Sequence, residues 1–545
     1  MESVLKHVLP ALAREVSLPE TTDVAIIGAG PVGLMLAALL GQQGVGTVLL
    51  ERRHVPFTEP RAIAFDPETL RCFQRIGRLD ALAPTLELDV PVAYYSGAGR
   101  LLGRVTSTKP RFGFSPRGTF YQPELESAIA EGLGAWPSLS VFRGVEVGDV
   151  ADLGDRVHLS VKASDGSIRR IAARYAVACE GGASRTRERT GIGFEGATFE
   201  EKWLVVDVQG DDYPHREIRF FCDPRRPALT LPVSGNRRRW EFLLLPSDDE
   251  TRFAGHDNAR ALMKACGSSP EVIERSLIYS FHARIADRFR AGRILLAGDA
   301  AHVTPPFAGQ GLNGGIRDAA NLAWKLAAVC QGRTEDSLLD TYDAERRAHT
   351  QAMTSLAVRL GRAIMPTSPV RATLRDIVMR SAWAIPAQRR RMESGDIIPG
   401  PSVARSPLVN WRAGAPVGNM MPQPLIRDAP GDLLLDDLLG PGFCIIGLGV
   451  EPREALSASD RAVAAALQAR LLFLDEVNAG EAAARDLARW AGLERGLLVV
   501  RPDRFLADRL PAGFAGDRLG WMRRAYHIVS ASMPGRAAQP ERIAA

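Results

Sequence analysis

Apolar positions along this chain change their spacing from region to region, and each spacing predicts a different element. Asp23 to Leu50 reads as strand, glycine turn, helix and strand, the opening βαβ unit of a parallel sheet. Pro67–Ile76 and Gln122–Leu133 have helical spacing. Val145 to Ala178 alternates around an Asp165-Gly166 turn, which predicts a β-meander returning to the first domain. From Phe194 to Ser280 the runs are strand-like, at Trp203–Val208, Glu217–Phe221 and Trp240–Leu245, and predict an antiparallel sheet. Helical periodicity follows over Asp318–Val329 and Leu338–Met365, with a further helix before a proline-rich stretch near 396–407. Beyond residue 408, strands at Cys444–Leu448 and Leu497–Pro502 flank a helix at Arg461–Ala469, a small α/β layer. The expected organisation is therefore an α/β chain: an extension at 1–22, a discontinuous domain from 23–193 and 281–365, a sheet domain at 194–280, a helical linker at 366–407 and a third unit at 408–545.

The first βαβ unit carries Gly28-Ala29-Gly30-Pro31-Val32-Gly33, and Glu51 ends its second strand. In G-x-G-x-x-G the glycines allow a tight turn, close approach of backbone to a pyrophosphate, and close helix packing, while the acid reaches a ribose. Alone, the motif means a dinucleotide, NAD or FAD. A second apolar run, Ile294 to Ala297, leads into Gly298-Asp299 and then a glycine-rich bend through Pro306, Gly309, Gly311, Leu312 and Asn313 to a helix. Backbone N–H groups at such a helix start can stabilise negative charge on a flavin ring. A nicotinamide dehydrogenase needs no second half-site; FAD does.

These segments, with Cys179-Glu180-Gly181-Gly182 between them, resemble the single-component FAD-dependent aromatic hydroxylases. Lys202–Val208, Phe221–Pro224, Arg237–Phe242, Pro305–Gly311 and Leu433–Leu448 resemble the 3-(3-hydroxyphenyl)propionate hydroxylase branch. The resemblance implies a Rossmann-like FAD domain of the GR2 type and a thioredoxin-like C-terminal domain. It implies non-covalent FAD with NADH or NADPH as co-substrate, and hydroxylation of a phenol by O2 through a flavin C4a-hydroperoxide. Asp299 would hold the ribityl hydroxyls. Arg61 would meet the pyrophosphate, Arg52 lies beside the ribose-binding Glu51, and Gln122 would lie against the cofactor. Glu180 stands where the family has Asp. Pro306 would flank the flavin. With the flavin carrying the chemistry, Pro306 and His302 are the only side chains with a candidate catalytic role, and a lone His beside an apolar turn is more often structural. The substrate wall is expected to include Phe220, Phe221, Trp240 and Phe242. A substrate carboxylate would need an arginine, with Arg111, Arg117, Arg225 and Arg284 as candidates. Two alternatives stay open: a monooxygenase acting on a larger polyketide-like molecule, and a flavin-binding protein without oxygen chemistry.

Composition narrows the picture further. A formal charge of +5 over 545 residues, with no dense Lys/Arg run, argues against nucleic acid and suits anionic cofactors. Six scattered cysteines without C-x-x-C argue against a zinc site and predict reduced thiols, a cytoplasmic enzyme and a redox-inert third unit around Cys444. No run is long enough for a signal sequence or a bilayer span, so no membrane partner is expected. A homodimer is compatible with all of this.

Overall fold

The computed structural model describes residues 17–56, 60–163, 165–395, 398, 400–403, 406–428, 431–476, 480–513 and 517–528. Most of the expected N-terminal extension, residues 1–16, lies outside the described residues, and 21–22 already belong to the first strand, Thr21–Ile27.

That strand sits at the centre of an eight-stranded sheet. Across the middle run Leu139–Arg143, Thr47–Glu51, Thr21–Ile27, Ile168–Ala178 and Ile294–Leu296, each parallel to its neighbour. Val24, Ala25, Ile26, Leu49 and Val177 are fully buried, as a parallel sheet covered on both faces requires. Glu146–Asp152 and Val157–Lys162 add the meander antiparallel to Ile168–Ala178. Two helices pack together over one face, Pro31–Gln42 and Gly311–Cys330. Their crossing depends on Gly315, where a Cβ would fall 2.4 Å from Val32 Cγ2.

The second sheet also has eight strands, in the order His302–Val303, Val272–Ala286, Phe194–Gln209, Arg237–Leu243, Ala228–Val233, Ile218–Cys222, Val92–Ser96 and Leu101–Val105. It departs from the pattern reading in two places. Val92–Ser96 and Leu101–Val105 come from the stretch assigned to the FAD domain, and Val272–Ala286 crosses the expected boundary at 280. The first pair joins by parallel pairing of 92–96 with 218–222, a contact between segments so distant in sequence that local periodicity carries no trace of it. Both faces of this sheet are covered and carry apolar clusters. Trp203, Phe220, Leu229, Leu231 and Leu243 pack with Phe307 on one side. Leu204, Val206, Trp240 and Phe242 pack with Tyr213, Phe253 and Met263 on the other.

The third unit is a four-stranded sheet, Arg470–Phe473, Cys444–Leu448, Gly496–Val500 and Leu506–Pro511. Its first two strands are parallel and joined by a helix; the others run antiparallel, after the helix Gly480–Ala491. This βαβαββ order is the thioredoxin-like topology. The first of its helices spans Ala458–Ala466 rather than 461–469, because a capping box between Ser457 and Asp460 starts it three residues early.

Candidate active site

The cleft lies where a ligand site is expected in an open α/β sheet, outside the carboxyl ends of the parallel strands. Its volume is about 400 Å³. Gly28, Gly30, Pro31, Glu51, Arg52, Arg61, Gln122, Glu180, Asp299, Gly311 and Leu312 all line it. The motif glycines divide their work. Gly28 has φ +104°, and a Cβ there would sit 2.5 Å from the Cys179 carbonyl oxygen; one on Gly33 would sit 2.0 Å from the Gly28 carbonyl. Those two are packing positions, and Gly33 does not face the cleft. At Gly30 and Gly311 a Cβ would meet nothing within 4 Å. Their missing side chains leave open space in front of two helix N-termini, the arrangement that receives phosphate or flavin oxygens.

Several side chains are held by the protein itself. Glu51 accepts from Ala29 N through Oε2 and from Arg53 N through Oε1, both at 2.9 Å, which fixes it at the strand end with lone pairs to spare for ribose hydroxyls. Gln122 Oε1 accepts from the Arg61 and Ala62 amides at 2.8 Å, and its Nε2 donates to Glu126. Gln122 therefore positions the backbone that presents Arg61, and at the cleft wall its Nε2 keeps one hydrogen that Glu126 does not take. Glu180 accepts from Ser184 Oγ and Thr186 N and braces the short helix Arg185–Arg189. Asn313 is buried, with Nδ2 donating to the Gly309 carbonyl at 2.7 Å and Oδ1 accepting from Thr69; its side chain ties down the bend and does not line the cleft. Pro306 and Gly309 shape the same bend behind Gly311, with Gly309 left-handed at φ +61°.

Asp299 differs from all of these. It lines the cleft, burial pushes its carboxyl pKa up, and no hydrogen bond from the described residues reaches its carboxylate. An acceptor left without donors in a cleft fits a polyol that brings its own. His302 lies elsewhere: 1% exposed, it engages Asp318 Oδ2 at 2.6 Å and stacks on Phe289. A side chain sealed in the core beneath Gly314 does not reach the cleft, so the expectation of a chemical role for His302 is withdrawn.

The cleft also holds groups the motifs did not indicate. Arg143 ends the strand beside Glu51, in register with it, and burial pulls its pKa down. Arg185 faces Glu146 at 2.7 Å across the rim. Recognising Leu139–Arg143 as a strand parallel to Thr47–Glu51 is the signal that would have found Arg143. Glu126, behind Gln122, is pushed up to about 7 by burial.

Comparison with known proteins assigns this geometry. The FAD binding domain family matches residues 21–357, and the HcaD C-terminal domain family matches 418–520. A 3-(3-hydroxy-phenyl)propionate/3-hydroxycinnamic acid hydroxylase of Burkholderia vietnamiensis is 39% identical over 520 residues, covering 91% of this chain and 95% of that protein. This chain belongs to the FAD-dependent aromatic hydroxylases. The p-nitrophenol 4-monooxygenase PnpA of Pseudomonas putida superposes with a TM-score of 0.63 at 26% identity, over 70% of this chain and 98% of its own. The flavin-dependent monooxygenase PieE matches in fold across 94% of this chain and all of its own, with a TM-score of 0.78 at 20% identity. The enzyme is an FAD-dependent monooxygenase, and the cleft residues fit the cofactor: an acid without a hydrogen-bond donor among the described residues, two open glycines at helix starts, and arginines at the strand ends.

For this hydroxylase the expected substrate wall needs correction. Trp240 and Phe242 are buried on the face of the second sheet turned away from the flavin bend, and Phe221 packs against Trp240 there at 6.1 Å. On the facing side stand Trp203, Phe220 and Phe281, with Phe307 5.9 Å from Trp203 and 5.8 Å from Phe281, nearly edge-on. Phe307 belongs to the bend that leads into Gly311, so this cluster packs the sheet against that bend. Two of the candidate arginines are engaged elsewhere. Arg117 donates to the carbonyls of Val90, Val105 and Ser107, and Arg225 pairs with Asp223 on the surface.

Proposed function

We propose that this hydroxylase acts on a phenol with a short carboxylate side chain, of the 3-(3-hydroxyphenyl)propionate and 3-hydroxycinnamate class. The similarity to hydroxylases named for those compounds, spread over nine-tenths of the chain, carries this reading. The aromatic cluster between sheet and bend supports it.

In this reading each part of the chain has a separate task. Asp299 and Glu51 accept from the ribityl and ribose hydroxyls; Arg61, positioned by Gln122, and the helix start at Pro31 meet the pyrophosphate. The start of Gly311–Cys330 turns its unpaired N–H groups toward the flavin and stabilises negative charge on the reduced ring. Trp203, Phe220, Phe281 and Phe307 hold the phenol ring and exclude water, which strengthens electrostatic interactions inside the site. Bound FAD, reduced by NADH or NADPH, activates O2 and supplies the electrophilic oxygen. No step requires a protein nucleophile.

The enzyme is proposed to work in the cytoplasm, as its six unbridged cysteines suit a reducing compartment. It is also proposed to form a homodimer through the exposed apolar stripe of helix Pro369–Ala384, where Val370, Leu374, Ile377 and Val378 recur at helical spacing. Among the described residues no helix is long and apolar enough to cross a membrane.

A panel of phenolic acids tested for stimulation of NAD(P)H oxidation decides the substrate class. Strong stimulation by 3-(3-hydroxyphenyl)propionate or 3-hydroxycinnamate is expected. Stimulation only by large polycyclic phenols would overturn the assignment.

A further inference from the structure

The seam between the FAD domain and the thioredoxin-like unit holds a second cavity, of about 40 Å³, lined from helices Pro67–Arg75, Gly311–Cys330 and Asp340–Ile364 and from Met420 and 503–505. Nearly every charge around it is matched. Arg71 and Arg504 share Asp436, at 2.7 and 3.0 Å. Arg317 is held by Asp66 and Glu68, and Arg346 by Asp318. Arg501 bridges Glu345 and Asp503, and Lys325 joins Glu345 at 2.9 Å. His349, which also lines the cavity, is pulled down to about 2 by burial and by Arg346, so its ring is neutral and adds no charge.

Among the described residues the remaining cation is Arg75. It is 9% exposed, its Nε has no hydrogen-bond partner, and no carboxylate among the described residues pairs with it. Burial, and then the neighbouring Arg504, disfavour its charge. Arg504, 2% exposed, likewise has Nη1 without a partner. A guanidinium stays protonated even here, so among the described residues the seam keeps one positive charge and two orphaned donors beside a small void. Leaving a buried charge unpaired is strongly unfavourable, whereas a counterion in the void would satisfy charge and donors together.

We propose that this cavity is a binding site for one small monovalent anion of the halide class, held between the guanidiniums of Arg75 and Arg504. The void is too small for a nucleotide or a sugar phosphate, and a divalent oxyanion would overcompensate a single excess charge. Because the ligands come from both domains, the bound anion fastens the C-terminal unit to the flavin domain.

Two measurements on the holoenzyme test this independently of its substrate. Crystals soaked in bromide should show anomalous density within about 4 Å of both guanidiniums, the range of a charge-assisted contact to a large anion. Density absent there would overturn the proposal. At constant ionic strength, balanced with gluconate, chloride should raise the Tm saturably by about 3 °C, as a ligand that binds the folded state does. Arg75→Gln should abolish that rise. An equal rise in the variant, or an equal rise with sulfate, would contradict the site; if the variant does not fold, the bromide density decides.

Discussion

The flavin cleft and the C-terminal seam draw on the same residue types, arginines and carboxylates, and use them in opposite ways. In the seam each of these carboxylates is paired with a cation, and Asp436 and Glu345 take two apiece. Against burial, which raises them, Arg504 with Arg71 hold Asp436 far below the usual carboxylate range, and Arg501 with Lys325 do the same to Glu345. In the cleft Asp299 takes none from the described residues, and burial raises it. Glycines follow the same division: Gly33 is packed against backbone, while Gly30 and Gly311 front open space. A region whose polar groups satisfy one another is structural. One that withholds donors and acceptors from itself is shaped for a ligand, and Arg75 is the place where the seam briefly behaves like the cleft.

Cutting the seam has the largest expected effect. Arg501→Met leaves Glu345 and Asp503 buried beside each other without their shared cation, and should cost about 3–5 kcal/mol of stability in denaturant unfolding. A loss under about 1 kcal/mol would mean that the seam charges are water-satisfied. Asp299→Ala should instead spare the fold and weaken FAD binding by about 5- to 150-fold, the equivalent of about 1–3 kcal/mol, because the polyol loses its acceptor. An unchanged FAD dissociation constant would remove Asp299 from the site.

A smaller effect comes from Glu126. Burial lifts its folded pKa to about 7, above the ordinary glutamate value of 4.5, so the folded state holds the proton more tightly and stability falls as pH rises between those values. At pH 8 the full penalty is present, and at pH 6 part of it is not. Glu126→Gln should therefore stabilise the holoenzyme more at pH 8 than at pH 6, by about 1 kcal/mol in urea titrations. The reverse order would place a cation beside Glu126. The smallest effect is expected at Cys444, which is buried, with its thiol pushed up to about 12 by burial. Cys444→Ser should leave turnover within about twofold, since a protonated thiol remote from the flavin offers no redox partner.

Much of the cleft was legible because its motifs are local. Gly28 to Gly33, Glu51 and the Gly298-Asp299 bend each announce their geometry within a few residues. Arg143 was not, since it reaches the site only through parallel pairing of Leu139–Arg143 with Thr47–Glu51. The face of the second sheet misled for a clearer reason. Alternation shows that Trp240 and Phe242 share a side, but not which side faces the cofactor. Charged Arg239 and Glu241 stand on the flavin-facing side, Arg239 engaged with Asp207 and the Pro60 carbonyl, and the aromatics are buried behind. A sheet covered on both faces defeats the rule that the apolar side points to the site. The seam was illegible as well, because ion pairs such as Arg71–Asp436 join segments hundreds of residues apart.

Isotope tracing tests the central claim most directly. Holoenzyme supplied with NADH or NADPH, 3-(3-hydroxyphenyl)propionate and 18O2 should yield a catechol product carrying one 18O atom, with a nicotinamide consumed for each ring hydroxylated. Nicotinamide oxidation that yields only hydrogen peroxide across the phenol panel, with no label in any ring, would contradict the account.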